Sequence, residues 1–482
     1  MGKLQIIFFA CTVHLCLSAR EVLIIGSGLA GLSAAIQAAR GGAQVTVLEK
    51  EAQIGGNSMR ASSGINSVNT PAQASANIQD AEHYFVDDTI KSGHGFSNQK
   101  LVEVLVKNSP NAWRFLHDIG VDVSVVTKTG GHSHARTHRA QEKEVAMSIG
   151  TEIIRTLLNY IKQVSGIKII TKARVISLIT DNSKKVTGVL VVIDGNNQDI
   201  FADAVILATG GFCGHVVQNS LLAQYRPDLL SLSTTNGACA SGDGIDLAQS
   251  VGARLIDMEK IQVHPTGFVD PRDPLKNHKI LAAENLRAVG GILLNHEGKR
   301  FVNELGLRDH VTDAIMNNCA PYAHSGPKVS YLVLNESAAK AFQKSALNFY
   351  ITMGLVQRFE TVIEWANFIG VDPEILRNTF INYAQSAARN KDTFGKTTFP
   401  VTFSCSEPIY CMLVTPCLHY CMGGVRFDER ARVIGENGPI NGLYAAGEVT
   451  GGLHGANRLA GNSLLECVVF GRIAGNSAAI EI

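Results

Sequence analysis

Charge of one sign is the first thing this sequence lacks. Its 43 Lys and Arg stand against 42 Asp and Glu, for a formal net charge of +1. No surplus field draws it to nucleic acid or to an anionic membrane. Cysteine patterning is missing too. Of ten cysteines, Cys11 and Cys16 lie near the start, and the other eight are scattered as Cys213, Cys239, Cys319, Cys405, Cys411, Cys417, Cys421 and Cys467. None forms C-x-x-C-H, which excludes c-type haem attachment, and no paired C-x-x-C motifs point to zinc. So sparse a spread builds no disulfide scaffold, and buried free thiols are expected. There is no internal repeat and no low-complexity tract. The mostly apolar run 4–17 is too short for a comfortable membrane span. It follows Lys3 and ends in Ser18-Ala19, the order of a secretory leader. Residues 1–19 are therefore expected to be a signal or targeting segment for the secretory pathway or ER lumen. An uncleaved anchor and a mitochondrial destination stay open, although the arginines of a transit peptide are absent. No stable membrane span is expected once the leader is removed.

What is present begins directly after that run. With 482 residues, 18% of them charged, the chain can bury a large core and is expected to hold two domains. Val22 to Ile25 is an unbroken apolar run, as a buried parallel strand requires. Gly26, Gly28 and Gly31 follow in the G-x-G-x-x-G pattern, with Ser27 and Ala30 between them. Gly26 allows a tight turn, Gly28 lets a pyrophosphate approach the backbone, and Gly31 lets a helix pack on the strand. A helix over 29–40 offers its N-terminal N–H groups and positive dipole end to phosphate. A second strand, 44–48, ends at Glu49 and Lys50, near the spacing at which an acid binds a ribose hydroxyl. Strand, glycines, helix, strand and acid in register make a dinucleotide-binding fingerprint.

Small and polar residues then recur in Gly55-Gly56-Asn57-Ser58 and Ser62-Ser63-Gly64, where backbone can approach a flat ligand closely. Helical spacing covers 98–117, and a helix is expected over 151–165. The loop Gly130 to Arg139 holds His132, His134 and His138 among arginines. With no acidic or cysteine ligand among them, it reads as a basic loop and no metal is expected. Strands are expected over 173–180 and 185–193, with Asp194-Gly195-Asn196-Asn197 as a turn. Ala204 to Leu207 is another buried strand, ending in Ala208-Thr209-Gly210-Gly211. Gly242-Asp243-Gly244 precedes a helix over 245–251. From Gln262 to about Pro416 the strand–glycine–helix style disappears. It returns in Gly442 to Glu448 and in a helical run over 463–479. The fold expected is α/β: a Rossmann-like nucleotide-binding domain, 20–261 and 417–482, interrupted by an α+β capping domain, 262–416.

Several of these stretches coincide with one family. The opening fingerprint, Gly55-Gly56-Asn57-Ser58, Ala208-Thr209-Gly210-Gly211, Gln262-Val263-His264-Pro265-Thr266-Gly267, Gly298-Lys299-Arg300-Phe301-Val302-Asn303-Glu304, His419-Tyr420-Cys421-Met422-Gly423-Gly424-Val425 and Gly447 to Leu459 together resemble the soluble, haem-free eukaryotic fumarate reductases. The resemblance implies FAD, a flavin domain and a clamp-like cap, with the active site between them. It implies reduction of fumarate to succinate, with hydride from flavin N5 and a proton from Arg308. Glu284 and Arg287 match a relay that reprotonates Arg308. His264, His419 and Arg458 match carboxylate-binding groups, with Gly461 near the substrate. The expected FAD contacts are Gly26, Ser27, Gly28, Ala30, Gly31, Glu49, Lys50, Gly56, Asn57, Ser58, Ser63, Gly64, Thr209, Gly210, Asp243, Tyr420, Glu448, Ser463 and Leu464. The related membrane-bound complexes attach FAD through a histidine near 58–64. None lies there, so FAD is expected to be non-covalent.

The chemistry asks for these residue types independently. A dicarboxylate held away from water needs fixed cationic donors, and guanidinium forks match carboxylates. Negative charge that builds on the alkene during hydride addition is stabilised by the same cations. One departure stands out: Ala283 occupies the position where bacterial relatives carry a carboxylate-binding threonine. Cys411, Cys417 and Cys421 surround His419, and an oxidised pair among them would shift it; ordinary buried thiols are the plainer reading. The electron donor is unassigned and is expected to be a reduced flavin or a reductase. Alternatives on the same scaffold are succinate or aspartate oxidation, reduction of another activated alkene, or a flavin-binding protein with a dead site.

Overall fold

The computed structural model describes residues 19–142, 144 and 147–480. The expected leader, apart from Ala19, lies outside the described residues. A six-stranded sheet organises the nucleotide-binding part, in the order Arg432–Gly435, Gly438–Ala445, Ala204–Leu207, Glu21–Ile25, Gln44–Leu48, Ile167–Ile170. All neighbours run parallel except the edge strand Arg432–Gly435. Glu21–Ile25 sits inside this sheet and is apolar on both faces. Val22 and Ile24 join the core on one side, Leu23 and Ile25 the core on the other, as the two-residue side-chain period dictates.

Helices Leu29–Arg40, Ile149–Ile161 and Asn462–Ile480 cover the first face. A three-stranded antiparallel sheet, Ala173–Thr180, Val186–Ile193 and Asn196–Phe201, and helix Asp243–Ser250 cover the second. The turn expected over 194–197 closes sooner, because Asn196 already pairs with Ile193. The helical spacing over 98–117 is two helices, Gln99–Lys107 and Ser109–Asp118. Pro110 falls in the first turn of the second, where its missing N–H costs nothing.

Helix Asn462–Ile480 has a mean hydropathy of 1.2, yet 67% of it is buried inside the protein, so it is a core helix. It crosses Leu29–Arg40 at backbone contact. A Cβ on Gly471 would sit 2.5 Å from the Ala30 carbonyl oxygen, and one on Gly475 would sit 2.3 Å from that of Ala34.

The cap is built on an antiparallel sheet ordered Ile261–Phe268, Ile409–Cys421, Ser330–Asn335, Ile292–Leu294. Apolar clusters fill both of its faces. The expected junctions, 261/262 and 416/417, fall within one strand pair. Ile261 lies opposite Cys421 and His264 opposite Cys417. Chain therefore passes between cap and nucleotide-binding part along continuous β-structure, with no linker for composition to reveal.

Two expectations follow. Gly475→Leu should cost at least about 2 kcal/mol by overpacking the helix crossing, read from the urea unfolding midpoint. His132 and His138, both pulled down to about 4 chiefly by burial, stay neutral when folded but take up protons below pH ~6.5 when unfolded. Stability should thus fall as pH drops from ~6.5 towards 4, by up to about 3 kcal/mol for each histidine. His138→Gln should flatten that slope in a thermal-melt series across pH.

Candidate functional site

A cleft with about 1530 Å³ of empty space, counting its open mouth, runs from the opening fingerprint to the seam with the cap. Gly26, Ser27, Gly28, Ala30, Glu49, Lys50, Gly56, Asn57, Ser58, Ser63, Gly64, Thr209, Gly210, Asp243, Tyr420, Glu448, Ser463 and Leu464 all line it. So do Arg308, His419, Arg458 and Gly461. Gly31 sits behind the wall: a Cβ there would lie 2.0 Å from the Gly26 carbonyl oxygen, so its role is packing. Gly26 has φ +103° and touches Ala208. At Gly28 a Cβ would meet nothing closer than the Ser58 hydroxyl at 3.5 Å, so the protein itself does not need a glycine there. The room is left for a ligand.

The polar fittings of this end are set by hydrogen bonds. Glu49 Oε2 accepts from the Ser27 backbone N–H at 3.0 Å and from its hydroxyl at 2.5 Å. Lys50 Nζ donates to Ser241 and Asp243, at 2.5 and 3.1 Å. The hydroxyl of Ser58 accepts from the N–H of Leu29 at 3.0 Å, and no side chain caps helix Leu29–Arg40 at Gly28. Ser62 Oγ, Thr209 Oγ1 and the Tyr420 hydroxyl are buried with no hydrogen-bond partner. Buried polar groups are normally satisfied, so these three and the room at Gly28 fit a bound dinucleotide. Helix Asn462–Ile480 begins one residue before Ser463, which makes Ser463 a first-turn residue facing the cleft. Burial pushes the Glu448 carboxyl up to about 7, against the opposing pull of the Cys421 N–H and Arg458.

At the seam the cations gather. Arg308 opens helix Arg308–Asn318, so the positive end of the helix dipole adds to the field there. Its Nε and Nη2 both lie 2.8 Å from Glu284 Oε2, and its Nη1 donates to Gln262 Oε1 at 2.8 Å. Arg287 Nη2 is 3.8 Å from the same Glu284 oxygen. Gly130 N–H donates to the other, Oε1, at 3.0 Å. Burial raises the Glu284 carboxyl, but Arg308 and Arg287 overcome this and hold it below the usual carboxylate range. His264, Glu284 and Arg287 lie behind Arg308 rather than on the cleft wall. All three are buried.

Arg458 is 3% exposed and makes no ion pair among the described residues. Its guanidinium lies 4.4 Å from the Tyr420 ring centre, and its Nε has no partner. Burial, then Arg308, pushes its pKa well below the ordinary arginine range. His264 Nδ1 accepts from the Thr266 N–H at 3.2 Å, so the neutral ring carries its proton on Nε2, which makes no hydrogen bond and lies 3.9 Å from Glu284 Oε2. Burial and the neighbouring cations hold both His264 and His419 well below the ordinary imidazole value. The rings of the two histidines are 4.9 Å apart.

Sequence reasoning missed several positioning groups. Gln262 ties the seam: besides binding Arg308, its Nε2 donates to Arg458 O and to Asn457 Oδ1, both at 2.7 Å. It stood in the Gln262-to-Gly267 motif, but nothing in a sequence tells a buckling amide from a solvated one. The basic loop is structural: His132 donates to Ala460 O at 2.9 Å, and buried Arg136 pairs with Asp80 and Asp88. Ala283 lies in the apolar cluster of the cap and offers no donor. No oxidised pair forms among Cys411, Cys417 and Cys421, which are buried free thiols, the plainer reading of the sequence. All three lie on strand Ile409–Cys421, so even Cys417 and Cys421 are ~13 Å apart, beyond the ~7 Å reach of a disulfide. Cys421 instead neighbours Cys213, with Sγ atoms 3.1 Å apart.

Comparison with known proteins agrees with this architecture. The family model described as an FAD binding domain matches residues 21–464. Fumarate reductase 1 of Saccharomyces cerevisiae is 41% identical, over 96% of this chain and 99% of its own. The fumarate reductase of Schizosaccharomyces pombe is 38% identical, over 95% and 89%. The open conformation of a flavocytochrome c3 fumarate reductase superposes with a TM-score of 0.74 at 34% identity, covering 95% of this chain and 78% of that one. A cleft built for a dinucleotide, a cap closing over it and relatives matched along nearly their whole length lead to one conclusion: this chain is an FAD-dependent oxidoreductase that belongs to the fumarate reductase family of flavoproteins.

Proposed function

We propose that the protein reduces fumarate to succinate, and one observation carries the reading: the buried seam holds more positive charge than it balances. Arg308 and Arg287 share one carboxylate, Glu284; Arg458 has no ion pair among the described residues, and the Glu448 carboxyl that acts on it is pushed up to about 7 by burial. Uncompensated buried charge is costly. A ligand with two carboxylates supplies the missing negative charge.

Arg458 and His419, both on the cleft wall, are assigned to hold carboxylate oxygens, and His264, its ring 4.9 Å from that of His419, backs them from behind Arg308. FAD, when bound and reduced, supplies the hydride. Arg308 supplies the proton to the other alkene carbon. Glu284, in contact with two of its nitrogens, returns a proton to it, and Arg287 stands next behind Glu284. Held ionised between turnovers, Glu284 carries no proton of its own; it accepts one from the Arg287 side and hands it to Arg308 once that arginine has given up its proton. Exclusion of water by the cap strengthens each of these interactions. The electron donor is placed outside the chain, as a reduced flavin or a reductase. The apolar run 4–17 supports entry into the secretory pathway.

Purified protein with bound FAD should oxidise a pre-reduced dye on addition of fumarate without oxygen; no fumarate-dependent oxidation overturns the function. Arg308→Ala should lower turnover by at least ~10³-fold, within the range of general acid catalysis, while the flavin absorbance is kept. Arg458→Met should raise the KM for fumarate at least ~30-fold, the scale of losing a buried charged partner. The same variant should melt higher than wild type without substrate, because a buried unpaired charge is gone.

A further inference from the structure

The motif Gly298-Lys299-Arg300-Phe301-Val302-Asn303-Glu304 has no part in the cleft wall, yet it forms the most charged interior of the cap. Glu304 is fully buried. Its carboxylate accepts from Arg300 Nε at 2.8 Å and Nη2 at 3.0 Å, and from Lys396 Nζ at 2.9 Å. Arg300 Nη1 donates in turn to Asp392 at 2.7 Å. Arg300 and Lys396 also lie 4.8 and 5.0 Å from the centre of the Tyr383 ring. Two cations and two anions are thus sealed together. Such clusters seldom stabilise a fold more than apolar packing of equal volume, so stability alone does not account for this one.

Its position does. The backbone carbonyl of Glu304 accepts from Arg287 Nη1 at 2.5 Å, the one hydrogen bond that anchors the buried guanidinium among the described residues; its Nε and Nη2 make none, and Nη2 meets Glu284 only at ion-pair distance, 3.8 Å. Four residues later the same strap of chain delivers Arg308. Between them, Leu305 O receives the N–H of Gly131 at 3.3 Å, beside Gly130, which binds Glu284. Glu284 thus stands between two arginines that are both placed from Glu304: one through its carbonyl, the other through the strap that follows. We propose that Glu304, clamped by Arg300 and Lys396, is the positioning residue that holds Arg287 and Arg308 in line with Glu284.

The inference rests on the fumarate-reducing reading, and the test separates the two. Glu304→Gln keeps the shape and weakens the clamp. In the FAD-loaded enzyme, kcat should fall ~10- to 100-fold, the cost of a misplacement of about 1 Å, with KM for fumarate changed less than about twofold. The solvent deuterium isotope effect on kcat should rise as proton return becomes limiting. Glu304→Gln combined with Lys396→Met removes the stranded cation. The double variant should regain thermal stability but not rate. An active wild type with an unaltered Glu304→Gln overturns the inference alone, and so does a double variant that recovers both stability and rate. If neither variant retains FAD, the cluster serves the fold and the inference is wrong. A wild type without fumarate turnover removes the functional reading and this inference with it.

Discussion

One carboxylate shared by two guanidinium groups sets the terms for the rest of the molecule. Glu284 is buried, and both its oxygens are occupied: Oε2 by Arg308 with Arg287 close by, Oε1 by the Gly130 N–H. A buried ion is tolerated only where geometry satisfies it closely, so the elements that bring these groups together cannot drift. Helix Arg308–Asn318 and the Glu284 segment come from the cap, Gly130 from a loop on the other side of the seam. The ion cluster therefore fixes how the cap sits, as much as the paired strands do.

That seat is reinforced by amides and by Asp309 of the same helix, which meets His94 at 2.5 Å and accepts from Asn457 at 3.4 Å. Gln262 spans from Arg308 to the Arg458 carbonyl, and Asn66 donates to Ala460 O at 2.6 Å and to Asn462 at 2.7 Å. The amides hold the backbone on either side of Arg458 without pairing its guanidinium, so the positive potential that the ligand must meet is kept. More acids near Arg458 would have steadied the empty protein and weakened the site.

The parts visible in the sequence were those with local rules. Gly26, Gly28 and Gly31 obey a spacing that backbone geometry enforces, and the strands and helix around them followed from apolar periodicity. Arg308 and Arg458 could be singled out because they recur within recognisable motifs; composition alone makes each an ordinary surface arginine. Asn108 and Pro110, which split one helical pattern into two, left a signal that periodicity overrode. The contacts of Gln262, His132 and Glu304 left none. They link residues tens to hundreds of positions apart, and the identity of a buried polar residue does not name its partner. The cysteines show the same limit. Nearness along the strand drew attention to Cys417 and Cys421, whereas the chain's return across the sheet put Cys213 beside Cys421.

The glycine crossing of helices Leu29–Arg40 and Asn462–Ile480 also orders events in time. The fingerprint is synthesised among the first residues, but Ser463 and Leu464, on the opposite wall of the same cleft, come more than four hundred positions later. Until Gly471 and Gly475 dock on Ala30 and Ala34, that side of the early helix has no cover and the flavin has half a berth. The complete berth for FAD therefore forms only after the cap segment, 262–416, has been made.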